Sequence, residues 1–451
     1  MIWGNHRLLR LFGRRREPSV PSFWSSISQG KSNEAGGLRY GGSVDCVNDL
    51  VRGFFKLMVM NKSHAVVFGP IGTGKSSLMR NALQCLPEDY AALVPDVVGG
   101  VEGYEGYTDY YAPYPLNVVG ELSPVVLPSV LAETFEIAGE VNAITPTMAR
   151  NLEVLAAWLL GLQPPPQGLD VSKYPRNLGG LIKLAEDAVN VGVFQGNLVE
   201  SVYALIRRLS MVRHWMVDSE THPIIHRLLS GELRGKSVGI DLSVFEDDVQ
   251  QWFYMIALMR ALGRRGVRNV FIVLDEAHLF LHKRSSTLYR LLRIGRNKRF
   301  YFVLISQSPS DFPDSVFNAD RLFVEFPIPY LSFRDLIARR PSYKYAIGDE
   351  EPGIRPRGEL EEHWRDVYVA MLHIHSMTKE AKEHFGPGLS TIPIKVNVEV
   401  QPKPNAVTLR RCVESVAPSM VDDLMNVIRE YGFSHVGYNK LLEGVWRCIG
   451  A

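Results

Sequence analysis

The chain has 451 residues, of which 46% are hydrophobic and 22% charged. That is the balance of an ordinary globular protein of roughly two to four domains, and it excludes a disordered, collagenous or disulfide-framed chain. Lys and Arg total 50 against 48 Asp and Glu, a net charge of +2, so overall charge points to no polyanionic partner and any basic surface is local.

Met1 to Arg16 carries Arg7, Arg10, Arg14, Arg15 and Arg16, interleaved with Leu8, Leu9, Leu11 and Phe12, and no acidic residue. Such a stretch fits a membrane-surface helix, a nucleic-acid arm, a targeting peptide or a solvated tail. Residues 17–43, rich in Ser, Gly and Pro, read as a linker. Cys46, Cys85, Cys412 and Cys448 are too widely spaced for a CxxC metal site and read as free thiols in a reducing compartment. No apolar run approaches the ~18 residues of a membrane span, so the chain is expected to be soluble and cytoplasmic.

Apolar residues recur at helical spacing from Val47 to Met60, and a short buried strand is expected over His64–Phe68. A glycine-rich loop follows, then a helix over 77–86 and a strand over 90–94. The Gly- and Tyr-rich stretch 99–115 reads as an exposed excursion. From about Pro124 to Leu233 the periodicity is helical, interrupted by Pro164-Pro165-Pro166, as for a helical subdomain inserted into an α/β core. Strands are expected again at 236–242, 269–275, 300–305 and 322–326, with a helix over 246–262. Short apolar strands alternating with helices predict a mostly parallel sheet. Beyond Pro327 the chain reads as a mixed tail, with a strand over Ile392–Val400 and a helix from Met420 to Tyr431.

Gly69, Pro70, Ile71, Gly72, Thr73, Gly74, Lys75 and Ser76 fit the pattern GxxxxGK[ST], with a strand before it and a helix after it. The glycines let successive backbone N–H groups face phosphate oxygens at a helix N-terminus. Lys75 is expected to reach the β- and γ-phosphates of ATP and the Ser76 hydroxyl to ligate Mg²⁺, with Ser77 completing the nucleotide-binding set. Val270 to Leu274 then forms an apolar strand ending in Asp275-Glu276-Ala277-His278. Asp275 at the strand tip is the second expected Mg²⁺ ligand, and Glu276 the general base that polarises an attacking water. A third strand, Tyr301–Ile305, ends in Ser306-Gln307, and Gln307 is expected beside Asp275, where an amide can orient water and phosphate.

Residues 259–300 hold eleven Lys or Arg and only two acids, Asp275 and Glu276. This excess exceeds an ordinary solvated face and leaves two uses open. Arg296, or Arg293, could serve as an arginine finger reaching a neighbouring subunit's phosphate. Lys283 and Arg284, in the loop after the acidic strand, could track a nucleic-acid backbone.

In these motifs the sequence resembles the HerA–FtsK superfamily of P-loop translocases, with its HerA and conjugative type IV secretion branches. The resemblance is carried by Lys62–Ser76, Ala92–Asp96, Lys236–Ser243, Leu274–His278, Gly295–Lys298 and Ile305–Asp311, and it covers roughly residues 45–330. It implies a RecA-like ATPase core over 45–120 and 234–330, a helical insertion over 121–233 and a mixed α/β extension over 331–451, after an arm and linker at 1–44. It further implies a homo-hexameric ring that moves double-stranded DNA with ATP and Mg²⁺, serving a nuclease, transfer or packaging machinery. Only 68 residues precede Gly69, too few for the N-terminal barrel of HerA proteins. The family's IDPHGEY-like segment is reduced to Val94-Pro95-Asp96, so Asp96 is given no catalytic role. A two-lobed helicase needs a second series of strands after Pro329, which is not apparent. The partial LSGGQ at Leu229–Glu232 lies too far from Asp275 for an ABC-type ATPase. The remaining alternative is a regulatory or scaffolding NTPase whose ATP cycle controls assembly.

Overall fold

A computed structural model describes residues 51, 53–69, 74–140, 143–281, 286–307, 311–312, 321–325, 367–374, 391–397, 407–425, 440–441 and 444–445. Its frame is one sheet of ten strands: β1 (His64–Phe68), β2 (Ala91–Asp96), β3 (Tyr110–Ala112), β4 (Ser237–Asp241), β5 (Val270–Leu274), β6 (Phe300–Ser306), β7 (Arg321–Glu325), β8 (Val367–Ile374), β9 (Thr391–Asn397) and β10 (Val407–Thr408). The order across the sheet is β10-β3-β4-β2-β5-β6-β1-β7-β8-β9. Every pairing from β10 to β7 is parallel, and β8 and β9 add antiparallel strands at the β7 edge. The expected α/β fold with a mostly parallel sheet is therefore the observed one.

The central strands are buried on both faces, which is why they read as continuous apolar runs. Successive side chains alternate between two layers. Val66, Phe68, Ile272, Leu274, Phe302 and Leu304 face the helices that lie between β3 and β5 in sequence. Ala65, Val67, Phe271, Val273, Val303 and Ile305 face the helices Phe54–Asn61 and Lys75–Leu83. In the second layer Phe271 sits among Phe55, Tyr90 and Tyr301, at ring-centroid distances of 4.3, 5.0 and 5.7 Å. His64, at the start of β1, is buried and ties three elements together. Its Nδ1 accepts from the Phe302 amide at 2.9 Å, so its Nε2 carries the proton and donates to the Leu292 carbonyl at 2.8 Å.

Between β3 and β4 the chain forms helices, among them Leu127–Ile137, Pro146–Leu159, Leu178–Asn190 and Asn197–Val212. Their caps are written in the sequence: Thr145 accepts from the Met148 amide, Asn177 from that of Gly180, and Pro146 opens its helix at the first turn. These helices share one hydrophobic core with the sheet face above them. No helix among the described residues is long and apolar enough to cross a membrane.

Several expectations need correcting. The stretch 99–115 is no exposed excursion: Tyr104, Tyr111 and Tyr114 are buried, and β3 lies inside it. Tyrosine-rich segments are easily misread, because a ring with one polar tip goes inside whenever its hydroxyl finds a partner. In the C-terminal region β9 falls where a strand is expected over Ile392–Val400. Strands β8 and β9 join one side of the sheet and β10 the other, and the helix Leu409–Val416 comes directly after β10. Residues 426–431 of the helix expected from Met420 to Tyr431 lie outside the described residues. Of the helix expected from Val47 to Met60, Phe54–Asn61 is helical, and residues 47–50 lie outside the described residues. Cys85 and Cys412 are disulfide-bonded, not free, since spacing along the chain does not report which thiols folding brings into reach.

Replacing Phe271 with Ala should remove the centre of the aromatic cluster and cost about 3–5 kcal/mol of stability, read as a lowered midpoint in urea denaturation. A loss under about 1 kcal/mol would mean that this layer repacks freely.

Candidate nucleotide site

β1 runs into Gly69, and the helix Lys75–Leu83 begins six residues later. Its N-cap, Gly74, has φ 96°, a left-handed conformation that a side chain would strain. Pro70, Ile71, Gly72 and Thr73 lie outside the described residues. Lys75 is 8% exposed and its Nζ donates to the Gly69 carbonyl at 2.8 Å. Burial pushes the ammonium pKa down, and the carboxylates of Asp275, Glu276 and Asp311 oppose that shift.

Register explains how the acidic strand meets this loop. Leu304 of β6 pairs with Leu274 of β5 on one side and with Val66 of β1 on the other, so one strand separates loop and acid. The carboxyl end of a parallel sheet is where such folds place ligands. Across that gap Ser76 Oγ donates to Asp275 Oδ2 at 2.7 Å, joining residues 199 positions apart. Asp275 Oδ1 accepts from the Glu276 amide at 3.1 Å. Glu276 itself adopts φ 53°, a left-handed conformation uncommon for a residue with a side chain and concentrated at functional sites. Burial first, and the neighbouring Asp275 charge second, raise the Glu276 pKa, while His278 and Lys75 pull it down. Its Oε2 is buried and accepts no hydrogen bond from any described residue.

The tip of β6 supplies a further row of polar groups. The Ser306 hydroxyl donates to Asp311 Oδ2 at 2.6 Å, leaving its oxygen to accept from His278 Nδ1 at 3.2 Å. The same Nδ1 lies 3.3 Å from Glu276 Oε2, an ion pair only when the imidazole is charged. Gln307 comes next along the chain and is exposed at the carboxyl end of β6, between the loop strand and the acidic strand in sheet order.

A layer behind Asp275 goes beyond the motifs. Tyr104 OH donates to Asp275 Oδ2 at 2.8 Å, and burial keeps its phenol protonated by raising its pKa well above the usual value. The Tyr104 backbone is held in turn by Asp96, at the end of β2. That carboxylate accepts from the amides of Val98, Gly99 and Tyr104 and from the hydroxyl of Tyr111. Arg80 reaches from the helix after the loop to the carbonyls of Glu102 and Gly103, and its guanidinium lies over the rings of Tyr104 and Tyr107. Gly103 passes so close that a Cβ there would meet Asp96 Oδ2 at 2.0 Å. The one sequence signal for this layer is an acid at a strand end with closely spaced Gly and Tyr after it.

The basic run of 259–300 is partly neutralised by distant acids. Arg260 pairs with Glu133 at 3.2 Å and Arg265 with Glu121 at 2.7 Å, while Arg264 donates to the Glu121 carbonyl and Lys298 to that of Gly263. The local excess therefore overstates the positive charge left for a partner. Arg293 is exposed, and Arg296 lies in the turn Gly295–Lys298, its side chain outside the described residues. Lys283 and Arg284 also lie outside them. Glu133 also anchors the next helix, Ser286–Ile294: it accepts from the Thr287 amide at 2.7 Å, at the N-terminus, where a carboxylate suits the helix dipole.

Among the described residues no group of three His, Cys, Asp or Glu could enclose a metal. One carboxylate and one hydroxyl at a glycine-loop helix instead fit Mg²⁺, which favours few hard oxygen ligands and completes its shell with water and phosphate.

No family model and no curated protein sequence matches the chain. Solved structures do. One is the plasmid coupling protein TrwB in complex with a non-hydrolysable ATP analogue, at 12% identity and TM-score 0.50, covering 85% of this chain and 94% of that one. Another is VirB4 of Thermoanaerobacter pseudethanolicus, at 13% identity and TM-score 0.41, covering 75% of this chain and 90% of that one. Sequence motifs and architecture agree: the chain has a RecA-like P-loop NTPase fold, as its resemblance to the HerA–FtsK superfamily implies.

Proposed function

We propose that this protein is an ATPase that assembles as a ring, on the pattern of a homo-hexamer, and couples hydrolysis to movement of double-stranded DNA in processing, transfer or packaging. The observation that carries the ATPase reading is the 2.7 Å hydrogen bond of Ser76 with Asp275, flanked by Lys75 and by the raised carboxyl of Glu276. ATP and Mg²⁺, when bound, supply the phosphoanhydride and the cation that offsets its charge. Lys75 contributes a partly desolvated positive charge to the phosphates, and Ser76 and Asp275 hold the cation's oxygen shell. Glu276, next along the chain, takes the proton from the attacking water, and Gln307 orients that water. Arg296 of an adjacent subunit is the proposed finger that completes the site. The division into a core at 45–120 and 234–330, an insertion at 121–233 and an extension from 331 belongs to the same proposal. Lys283 and Arg284 are the proposed phosphate-binding residues for DNA, since a motor indifferent to sequence grips the backbone and not the base edges.

Lys75→Ala should lower both nucleotide affinity and turnover, whereas Glu276→Gln should retain ATP and lose ~10²-fold or more in turnover, as expected for a general base. Binding by fluorescence and phosphate release would measure the split, and near-normal hydrolysis by Glu276→Gln would refute its role. The same variant should be more heat-stable than wild type at neutral pH. A carboxyl whose pKa rises on folding costs stability above its unfolded pKa, and that cost disappears as the pH falls below it. The gain should therefore fade in acid, which thermal melts at pH 7 and pH 4 would test.

Neutralising Lys283 and Arg284 together should flatten the slope of log affinity against log salt by about 0.9 for each DNA phosphate no longer neutralised, leaving basal ATPase intact. ATPase activity that no DNA stimulates would favour the regulatory or scaffolding reading.

A further inference from the structure

We infer that Tyr104 is a positioning residue for the divalent cation, setting the Asp275 carboxylate through its hydroxyl; the inference rests on reading Ser76 and Asp275 as the cation's protein ligands. Asp275 Oδ2 accepts two hydroxyls, Ser76 Oγ at 2.7 Å from the helix behind the glycine loop and Tyr104 OH at 2.8 Å from the segment after β2. A carboxylate at a strand tip has two oxygens and a freely turning χ2. The Glu276 amide at 3.1 Å on Oδ1 restrains one end, and Tyr104 restrains the other even when Ser76 engages a cation.

Tyr104 is placed for this task by its surroundings. The fully buried Asp96 carboxylate binds the Tyr104 amide at 2.7 Å and the amides of Val98 and Gly99 at 3.1 Å, so the loop leaves β2 in one fixed path. Tyr111 of β3 donates to the same carboxylate at 2.8 Å and accepts from the Gly100 amide at 3.1 Å. Arg80 clamps the loop from the other side at the Gly103 carbonyl, 2.5 Å away, and lies 5.7 Å from the Tyr104 ring centroid. The helix that carries Lys75 and Ser76 thus also carries the residue that holds Tyr104 against Asp275. Groups behind a metal ligand that orient it typically change metal affinity by ~10–100-fold when removed.

Tyr104→Phe deletes one hydroxyl and keeps the ring under Arg80. The test titrates a fluorescent ADP analogue in EDTA and at graded Mg²⁺, using full-length wild type, Tyr104→Phe and Ser76→Ala. Tyr104→Phe should need ~10-fold more Mg²⁺ for half of the cation-dependent gain in affinity, while its affinity in EDTA equals wild type. A general packing defect would instead weaken binding equally with and without Mg²⁺, and that result overturns the inference, as does an unchanged Mg²⁺ midpoint. If wild type gains nothing from Mg²⁺, the reading of Ser76 and Asp275 falls and takes this inference with it. If wild type gains, Ser76→Ala loses the gain and Tyr104→Phe matches wild type, the inference alone falls.

Discussion

Asp275 is the point on which the site depends. Its backbone lies at the end of a fully buried strand, so its position is set by the registers of β5 with β2 and β6 and not by local chain preference. Its charge is tolerable there only because polar hydrogens converge on it: two hydroxyls and a backbone amide, from three separate parts of the chain. A carboxylate left without them would incur the desolvation cost of an unpaired ion. The same low-dielectric setting explains the neighbouring side chains. Burial lowers the pKa of Lys75 and raises that of Glu276.

Around that point the architecture places polar tips at one end of the sheet and apolar faces on both sides. Because β6 lies between β1 and β5 and runs parallel to both, Ser306 and the Asp311 carboxylate it binds belong to the same end as the loop and the acidic strand. His278 Nδ1, hydrogen-bonded to Ser306 and 3.3 Å from Glu276 Oε2, sets the β6 tip beside the proposed base. The left-handed Glu276 is held by this crowding, with its amide on Asp275 and the turn Ala277–Leu279 immediately behind. Such strain persists only where neighbours over-determine the backbone.

Charge is distributed by the same logic of distant partners. The basic residues of the helix Asp248–Arg265 look unbalanced in sequence, yet Glu121 and Glu133, remote along the chain, meet Arg265 and Arg260. Both acids are buried, at 4% exposure, so these pairs tie helices Val118–Glu121 and Leu127–Ile137 to the helix Asp248–Arg265 instead of advertising charge to a partner. Buried ion pairs contribute little net stability, but removing one member strands the other. Glu133 also fixes where the helix Ser286–Ile294 begins, by accepting from the Thr287 amide.

Local chemistry determined much of this protein directly from sequence. The pattern Gly69–Ser76 demands a turn that only glycines allow and a helix N-terminus behind it, and Val270–Leu274 is apolar throughout because both of its faces are covered. Strand–loop–helix order and the mostly parallel sheet follow from such short-range patterns, whereas the bond of Ser76 with Asp275, 199 positions apart, needs the register of the sheet. The tertiary structure alone decided the rest, wherever a residue's role depends on a partner remote in sequence. Tyr104 and Asp96 sit in a stretch whose glycines and tyrosines look like loop, and only the folded chain shows the hydroxyl on Asp275. The edge strand β9 is legible as the apolar run from Ile392, whereas the two-residue edge strand β10 takes its conformation from the sheet it joins. Periodicity and motif record what a segment does to itself; burial of a tyrosine or pairing of an arginine records what arrives from elsewhere.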